Sequence, residues 1–339
     1  IKGERRASGD AAASMESNLE ETLAVAQSRG YDPSKLGFEL CRKILAGVRE
    51  ARSARPDLVR RFGSYLLDSH SSRLGHELWM TYEQVYLALL QYGKSGKHQL
   101  SADQSMPEDL TAAQEYGNIL SAQFPESLRV KRLDGMLWEA KGMYDMATKE
   151  YDEILAEDQN NILASKRQIA LCRARGKPGE AAHKLVKYLE MVCSDTEAWL
   201  QLGLIYLSAQ QFKRAAFCTE ELLLINPMSY LYHIRYADIM YTMGCADKGG
   251  GTEQLRIARK YYAHAIDLKP RNNLRALYGL LLASSALGVC ATKGAKGSTK
   301  TDNAEVFTYA RGQLTYLYRS GQHAGMVNML EGMLNSLVE

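Results

Sequence analysis

The fold is decided by one stretch of 34 residues, TEAWLQLGLIYLSAQQFKRAAFCTEELLLINPMS, at positions 196–229. Its apolar residues follow the 3-and-4 spacing of amphipathic helices, without the sustained alternation of a strand. Two small residues, Gly203 and Ala215, lie 12 positions apart and allow two successive helices to approach each other closely. Trp199 and Tyr206 are the large residues that fill the space between neighbouring helix pairs. The stretch therefore predicts a helical hairpin.

The features of this hairpin recur along the chain in steps of 34 residues. Pro227 follows the second helix, because proline cannot donate a helical hydrogen bond, and it lies 102 residues, or three such steps, after Pro125. A 34-residue period with W-x2-L-G-x2-Y, A and P positions is that of the tetratricopeptide repeat. The small residues that keep the step are Ala113, Ala147, Ala181 and Ala215, with Ala258 after a longer step, and Gly135, Ile169, Gly203 and Ala237. The sequence predicts an all-α tetratricopeptide-repeat solenoid, an α-α superhelix with helical N- and C-terminal extensions.

Departures from the period divide the chain into four predicted parts. These are a mobile leader at 1–33 that ends in a short helix, an N-terminal basic helical segment at 34–78, the solenoid at 79–272 with insertions at 93–109 and 244–252, and a C-terminal helical cap at 273–339 with a polar loop at 292–303. Both insertions and the polar loop are rich in Gly, Ser or Lys, which predicts solvated loops. Residues 35–61 carry eight basic and three acidic side chains, and their apolar spacing predicts one basic amphipathic helix.

Composition and motifs exclude several classes of function. The formal net charge is only +3, which is not typical of a dedicated nucleic-acid binder. The six cysteines form no CxxC pair, and P-loop, HExxH and GxSxG motifs are absent from the sequence. The longest uncharged run, 276–292, is shorter than the ~20 residues that a membrane span needs, and it predicts a buried helix pair. We therefore expect no enzymatic activity, no metal site and no cofactor.

The first helix of each repeat lines the concave side of a solenoid, where a peptide or a partner helix can bind. The predicted groove begins basic and becomes apolar, which suits an amphipathic segment with an acidic end. Its residues are Arg129, Arg132, Met136, Lys166, Arg173, Leu200, Leu204, Leu207 and Tyr241. The alternative for the three leucines is burial by the next repeat. The predicted repeat-packing residues are Trp199, Gly203, Tyr206, Ala147, Ala181, Ala215 and Ala258.

Two other functions remain open at this point. A soluble co-chaperone adaptor would hold the acidic C-terminal tail of a heat-shock protein in a carboxylate clamp. Arg132 and Lys166 supply the basic residues of such a clamp, but Met136 stands where it needs an asparagine, so the clamp is incomplete. A contact of 35–61 with anionic lipid headgroups or RNA is the third interpretation, although a solvated helix face explains the same pattern and is favoured.

Several strings that go beyond the generic repeat pattern resemble one family. They are WMTYEQV at 79–85, FPESLRVKRLDGMLWEA at 124–140, YDEILAEDQNN at 151–161, AAFCTEELLLINP at 215–227 and ARKYYAHAIDLKPRNNLRALYGL at 258–280. They are similar to the family of subunit 2 of the endoplasmic reticulum membrane protein complex, whose members are tetratricopeptide proteins. The likeness covers about residues 75–285 and includes the non-consensus run Arg129–Leu133.

The resemblance implies a scaffold subunit on the cytoplasmic face of the endoplasmic reticulum, bound to the membrane only peripherally through its partners. These would be the cytosolic parts of membrane subunits and a further soluble subunit, in a hetero-oligomer without nucleic acid. The family's complex inserts tail-anchored and multipass transmembrane segments without hydrolysing nucleotide. The 93–109 insertion, the residues before Ser34 and the Gly249–Gly251 triplet depart from the family's compact form.

Overall fold

The computed structural model describes residues 17–94, 108–247, 251–291, 298–320 and 324–336, and all regular secondary structure in these ranges is helical. The α-helices are α1 (17–28), α2 (Pro33–Leu36), α3 (Phe38–Glu50), α4 (Pro56–His70), α5 (Leu78–Lys94), α6 (Glu108–Gln123), α7 (Leu128–Ala140), α8 (Tyr144–Glu157), α9 (Ile162–Ala174), α10 (Pro178–Met191), α11 (Thr196–Ser208), α12 (Phe212–Ile225), α13 (Tyr230–Ala246), α14 (Thr252–Leu268), α15 (Leu274–Ala291), α16 (Ser298–Ser320) and α17 (Val327–Ser336). Short 3₁₀ turns occupy Ser71–Arg73, Gly75–Glu77 and Ala324–Met326. The all-α prediction is confirmed.

The helices of the repeats begin in the predicted register. The first helices α7, α9, α11 and α13 start at residues 128, 162, 196 and 230, each 34 residues after the last. Local hydrogen bonds fix two of these starts, because the side chains of Asn161 and Asp195 accept from the backbone N–H of Ala164 (3.1 Å) and Ala198 (3.2 Å). The period in the sequence is therefore a period in helix starts.

The first helix ends in the same way in three repeats. Gly142, Gly176 and Gln210 follow α7, α9 and α11 with φ angles of 75°, 69° and 57°. A left-handed residue at this position lets the following backbone N–H groups bond to the last carbonyls of the helix. Glycine adopts this conformation without steric cost, whereas Gln210 carries a Cβ that makes it unfavourable.

The chain forms two compact units, Ile1–Lys177 and Pro178–Glu339. The core of the first unit includes the fully buried Phe62 and Tyr86, and a smaller cluster forms around Tyr151. The core of the second unit extends from α12 to α17 and includes Leu281 and Leu314, both fully buried. Each unit thus has an apolar core of its own.

The predicted basic helix at 35–61 is divided in two in the structure. Helix α3 ends at Glu50, and α4 begins at Pro56. Arg52 lies between them in the left-handed region, with φ of 48°, and a proline disfavours helical geometry at the residue before it. The expectation of one continuous helix is therefore wrong, because Pro56 starts a new helix.

The described parts of the predicted leader and of the 93–109 insertion are helical. Residues 17–28 of the 1–33 leader form α1 and bury Leu19 and Ala26, while residues 1–16 lie outside the described residues. The 93–109 insertion loses residues at both ends to α5 and α6, and its remainder, 95–107, also lies outside them.

Two other predicted loops contain helix, which corrects their expected bounds. Helix α13 continues through the first residues of 244–252, because Gly244 packs against Leu255 where a side chain would clash. Helix α16 begins at Ser298, inside the predicted 292–303 loop, since a helix anchored by buried Ala310 and Leu314 extends cooperatively into polar sequence.

Residues 276–291 of the uncharged run lie in one helix, α15, and not in the predicted helix pair. Its small residues do not break the helix, because Gly279 lies against the ring of Tyr262 and Ser284 bonds to the carbonyl of Leu280 at 2.8 Å. Among the described helices, none combines enough length with enough apolar character to cross a membrane.

Candidate partner-binding site

The basic part of the predicted groove lies on α7 and α9, in the first unit. Arg129 is exposed but is held by Glu83 of α5 through two contacts, Nε to Oε1 at 2.9 Å and Nη2 to Oε2 at 2.7 Å. Two parallel bonds of this kind fix both the position and the orientation of a guanidinium group. Arg129 is therefore neutralised by its own chain.

Arg132 lies about one helical turn after Arg129 on α7, and its environment is different. It is half-buried, and its Nε is fully buried without a hydrogen-bond partner among the described residues. Burial lowers the pKa of Arg132, an effect that Glu83 opposes and that Arg129 and Arg167 reinforce. A buried N–H without an acceptor costs about 1–3 kcal/mol, so the position of Arg132 lowers the local stability of α7.

Arg167 is half-buried at this surface and Tyr151 is fully buried, and the sequence singled out neither of them. The Tyr151 hydroxyl donates to Glu139 Oε1 at 2.6 Å, and Arg167 Nη1 lies 3.5 Å from Glu139 Oε2. Burial, followed by the bond to Glu139, raises the pKa of Tyr151. The one available signal was Gly135, which leaves the space that the Tyr151 ring occupies.

The remaining predicted residues of the first unit differ in exposure. Lys166 is half-buried on α9, and Arg173 is exposed near the end of the same helix. Met136 is half-buried and packs against the core of the first unit. Arg132 and Arg173 therefore keep charge available at this surface, whereas Met136 serves the core as well.

The apolar part of the predicted groove lies in the second unit. Leu200, Leu204 and Leu207 line one open cavity of ≈ 440 Å³, together with residues of α12, α13 and α15. Leu204 is 52% exposed, and the other two leucines are half-buried. Burial by the next repeat, the alternative for these leucines, does not cover Leu204. The structure brings the three leucines together as an accessible apolar surface.

Two arginines at this cavity were not identified from the sequence. Arg275 of α15 bonds to Asp238 of α13 at 2.5 Å, and the Tyr262 hydroxyl donates to the other Asp238 oxygen at 2.6 Å. Arg235 also lines the cavity and is exposed. The bond of Arg275 to Asp238 joins positions 37 residues apart, which a 34-residue pattern does not reveal.

Tyr241 was predicted to line the groove with these leucines. It is half-buried and packs against the core of the second unit, and it is not among the residues that line the cavity. Burial, followed by the interaction with Cys245, raises the pKa of the Tyr241 hydroxyl to about 12. Ile239 and Thr242 of the same helix line the cavity in its place.

The predicted repeat-packing residues are mostly buried. Ala147, Ala181, Ala215 and Ala258 are all fully buried. The Trp199 indole N–H donates to the carbonyl of Cys193 at 2.8 Å, and its ring meets Phe217 edge-on at 6.0 Å. Tyr206 packs against the core of the second unit.

The two glycines at the same repeat position differ in how closely they are packed. A Cβ added to Gly135 would lie 2.5 Å from the Tyr151 ring, a distance that real contacts do not show. A Cβ added to Gly203 would lie 3.5 Å from the Cβ of Cys218, which is an ordinary contact. The close helix approach that the sequence places at Gly203 is found at Gly135.

Neither metal-binding nor disulfide chemistry is visible in the described part of the chain. No group of three or more His, Cys, Asp or Glu side chains there is arranged to hold a metal ion. The cysteines described, at 41, 172, 193, 218 and 245, are free thiols.

These features define a class of protein, the tetratricopeptide-repeat proteins. The model of the EMC2 TPR-like repeat domain matches residues 121–247. ER membrane protein complex subunit 2 of Xenopus tropicalis is 37% identical over 292 residues, which are 86% of this chain and 90% of that protein. The subunit 2 of Dictyostelium discoideum is 26% identical over 73% of this chain and 74% of its own length.

The chain belongs to the family of ER membrane protein complex subunit 2, as its sequence strings predicted. Among solved structures, the crystal structure of MamA protein aligns with 55% of this chain over 91% of the MamA chain, with a TM-score of 0.41 and 19% identity.

Proposed function

We propose that the chain is a non-enzymatic scaffold subunit of the endoplasmic reticulum membrane protein complex, on the cytoplasmic face of the membrane. The names of its relatives support membership in that complex. Its attachment to the membrane is peripheral, through the cytosolic parts of membrane subunits, and a further soluble subunit completes its contacts. In this role it supports insertion of tail-anchored and multipass transmembrane segments without an energy source of its own.

The observation that carries the proposal is the cavity lined by Leu200, Leu204 and Leu207. Its volume of ≈ 440 Å³ lies within the ~300–1,000 Å³ of typical binding pockets. An apolar face of a cytosolic helix or tail would remove Leu204 from water, and burial of a whole leucine side chain contributes about 1.5–3 kcal/mol. Because Leu204 is already half-covered, we assign about half of this range to a bound partner.

The test replaces Leu204 with aspartate in the full chain and measures recovery of membrane subunits in a detergent pull-down. We expect recovery to fall at least about tenfold, because a charge would be buried in an apolar contact. Leu224→Asp is the matched control, since Leu224 is 75% exposed on α12 and does not line the cavity. Equal recovery with both variants, at unchanged helicity, would show that the cavity does not hold the partner.

The basic part of the groove is tested separately by charge reversal at Arg132. Arg132→Glu should weaken recovery of membrane subunits, whereas Arg129→Glu should act mainly by breaking the pair with Glu83. The rival function, a soluble co-chaperone adaptor, is favoured by Arg132, which has no ion pair within the described residues, and is opposed by Met136 in the clamp. Micromolar binding of an acidic heat-shock C-terminal peptide, lost in Arg132→Glu, would support the rival.

A further inference from the structure

A second cavity, away from the predicted groove, lies in the first unit at the start of α4. Its volume is ≈ 590 Å³, and its lining includes Arg55, Arg60, Arg61, Tyr31, Tyr92 and Asp57. Three guanidinium groups within seven residues thus border one open cavity. The contacts of these three arginines differ from those of Arg42 and Arg49 in the same basic segment.

Two other arginines of the basic segment are neutralised by their own chain. Arg42 and Arg49 both pair with Glu77, at 3.0 Å and 3.6 Å, so that this part of the segment carries little free charge. At the cavity, by contrast, only Arg60 has a carboxylate partner, Asp109, at 2.7 Å. Apart from the exposed Lys43 and Arg52, the positive charge that remains unpaired in residues 38–70 lies at the cavity.

The contacts of the three cavity arginines leave donors available. Arg60 is positioned by Asp109 and by its stacking over the Tyr92 ring, 5.0 Å from the centroid. Arg61 has a long bond to the carbonyl of Tyr31, at 3.4 Å. Arg55 is exposed, and its side chain forms no hydrogen bond or ion pair within the described ranges. With Asp57 and Asp109 counted against the three arginines, one positive charge is in excess.

We propose that this cavity binds a phosphate group carried by a larger molecule, with Arg55 and Arg61 as its main ligands. Several guanidinium forks around one anion suit a tetrahedral oxyanion with three acceptor oxygens, and arginine is the usual residue for such recognition. A phosphomonoester carries about −1.5 to −2 charges at pH 7, which exceeds the single excess positive charge, so its binding relies on guanidinium hydrogen bonds as well as on charge. The cavity is large for an inorganic ion, so the rest of the ligand, a soluble molecule or a lipid, occupies the remainder.

The experiment compares two probes on the full chain at low salt. Inorganic pyrophosphate, followed by titration calorimetry, stands for a soluble source. Phosphatidylcholine vesicles with a minor fraction of phosphatidic acid, followed by flotation, stand for a lipid source. The cavity variant is Arg55→Gln with Arg61→Gln, and the control is Lys43→Gln with Arg52→Gln, which removes the same charge from exposed positions outside the cavity lining.

We expect at least about tenfold weaker binding with the cavity variant and a change within about twofold with the control. Binding of both probes identifies the phosphate itself as the ligand, and binding of vesicles alone identifies a headgroup at a membrane surface. The proposal is overturned if neither probe binds, or if the two variants weaken binding equally. Equal binding to vesicles of the same charge made with phosphatidylserine would also overturn it, since general charge attraction would then suffice. These outcomes do not depend on the groove in either unit.

Discussion

Substitution of Gly135 by alanine tests the helix contact on which the first unit depends. The added Cβ would lie 2.5 Å from Cε1 and 2.8 Å from Cζ of Tyr151. Tyr151 is fully buried, and its hydroxyl is held by Glu139 at 2.6 Å. The ring therefore has neither space nor freedom to move aside, and α7 and α8 must separate or the bond to Glu139 must break.

The expected magnitude follows from three contributions. Overpacking of this kind costs about 1–3 kcal/mol. Loss of a hydrogen bond to a charged group costs about 1.5–3 kcal/mol where the ring has to rotate. Alanine regains about 1 kcal/mol over glycine in a helix interior. Where both costs apply, we expect Gly135→Ala to lower the free energy of local unfolding of α7 and α8 by about 1.5–5 kcal/mol.

Gly203→Ala is the matched control, at the same repeat position two 34-residue steps later. Its Cβ would meet Cys218 at 3.5 Å, so the helix-propensity gain of about 1 kcal/mol is not offset. Amide hydrogen exchange of peptides from α7–α8 and from α11–α12 reads each hairpin separately. Faster exchange with Gly135→Ala and slower exchange with Gly203→Ala are expected, and effects of the same sign would refute the packing argument.

Three further changes have expected outcomes. Burial raises the pKa of Asp134 to about 6, above its unfolded value of 3.8, so the native state retains a proton that the unfolded state releases. Protection of α7 should therefore increase as the pH falls through 6, and Asp134→Asn should remove this dependence in hydrogen exchange. Tyr262→Phe removes the bond to Asp238 and should lower the stability of α13–α14 by about 1.5 kcal/mol, again measured by exchange. Gln210→Gly should stabilise α11–α12 by up to about 1 kcal/mol, because glycine tolerates the left-handed φ. The thermal unfolding midpoint of this variant should not fall below that of the unchanged chain.

The helix register was predictable because the small residues at fixed offsets are those that the packing requires. Ala147, Ala181 and Ala215 are fully buried at their predicted positions, and the helices start at the predicted step. Periodicity does not show which glycine has a bulky neighbour, because this depends on the residue opposite. Tyr151 faces Gly135, whereas the smaller Cys218 faces Gly203.

The side-chain chemistry of the predicted groove was less predictable, because it depends on pairs that join different repeats. Arg129 pairs with Glu83, 46 residues earlier, and so its charge is neutralised within the chain. Arg275 and Asp238 are also paired with each other. The sequence shows these residues as separate charges at helical spacing, and only the three-dimensional structure joins them.

The pairing of charges changes the expected basis of partner recognition. The sequence suggested a groove in which charge positions an acidic segment, but Arg129 and Arg275 are satisfied by carboxylates of their own chain. Exposed ion pairs contribute little, about 0–1 kcal/mol, and a partner gains little by exchanging one for another. If the second unit binds a partner as proposed, we therefore expect the affinity to come mainly from covering Leu204 and its neighbours. We propose that specificity for an acidic group rests with Arg132, because it is half-buried and, within the described residues, no carboxylate of its own chain forms an ion pair with it.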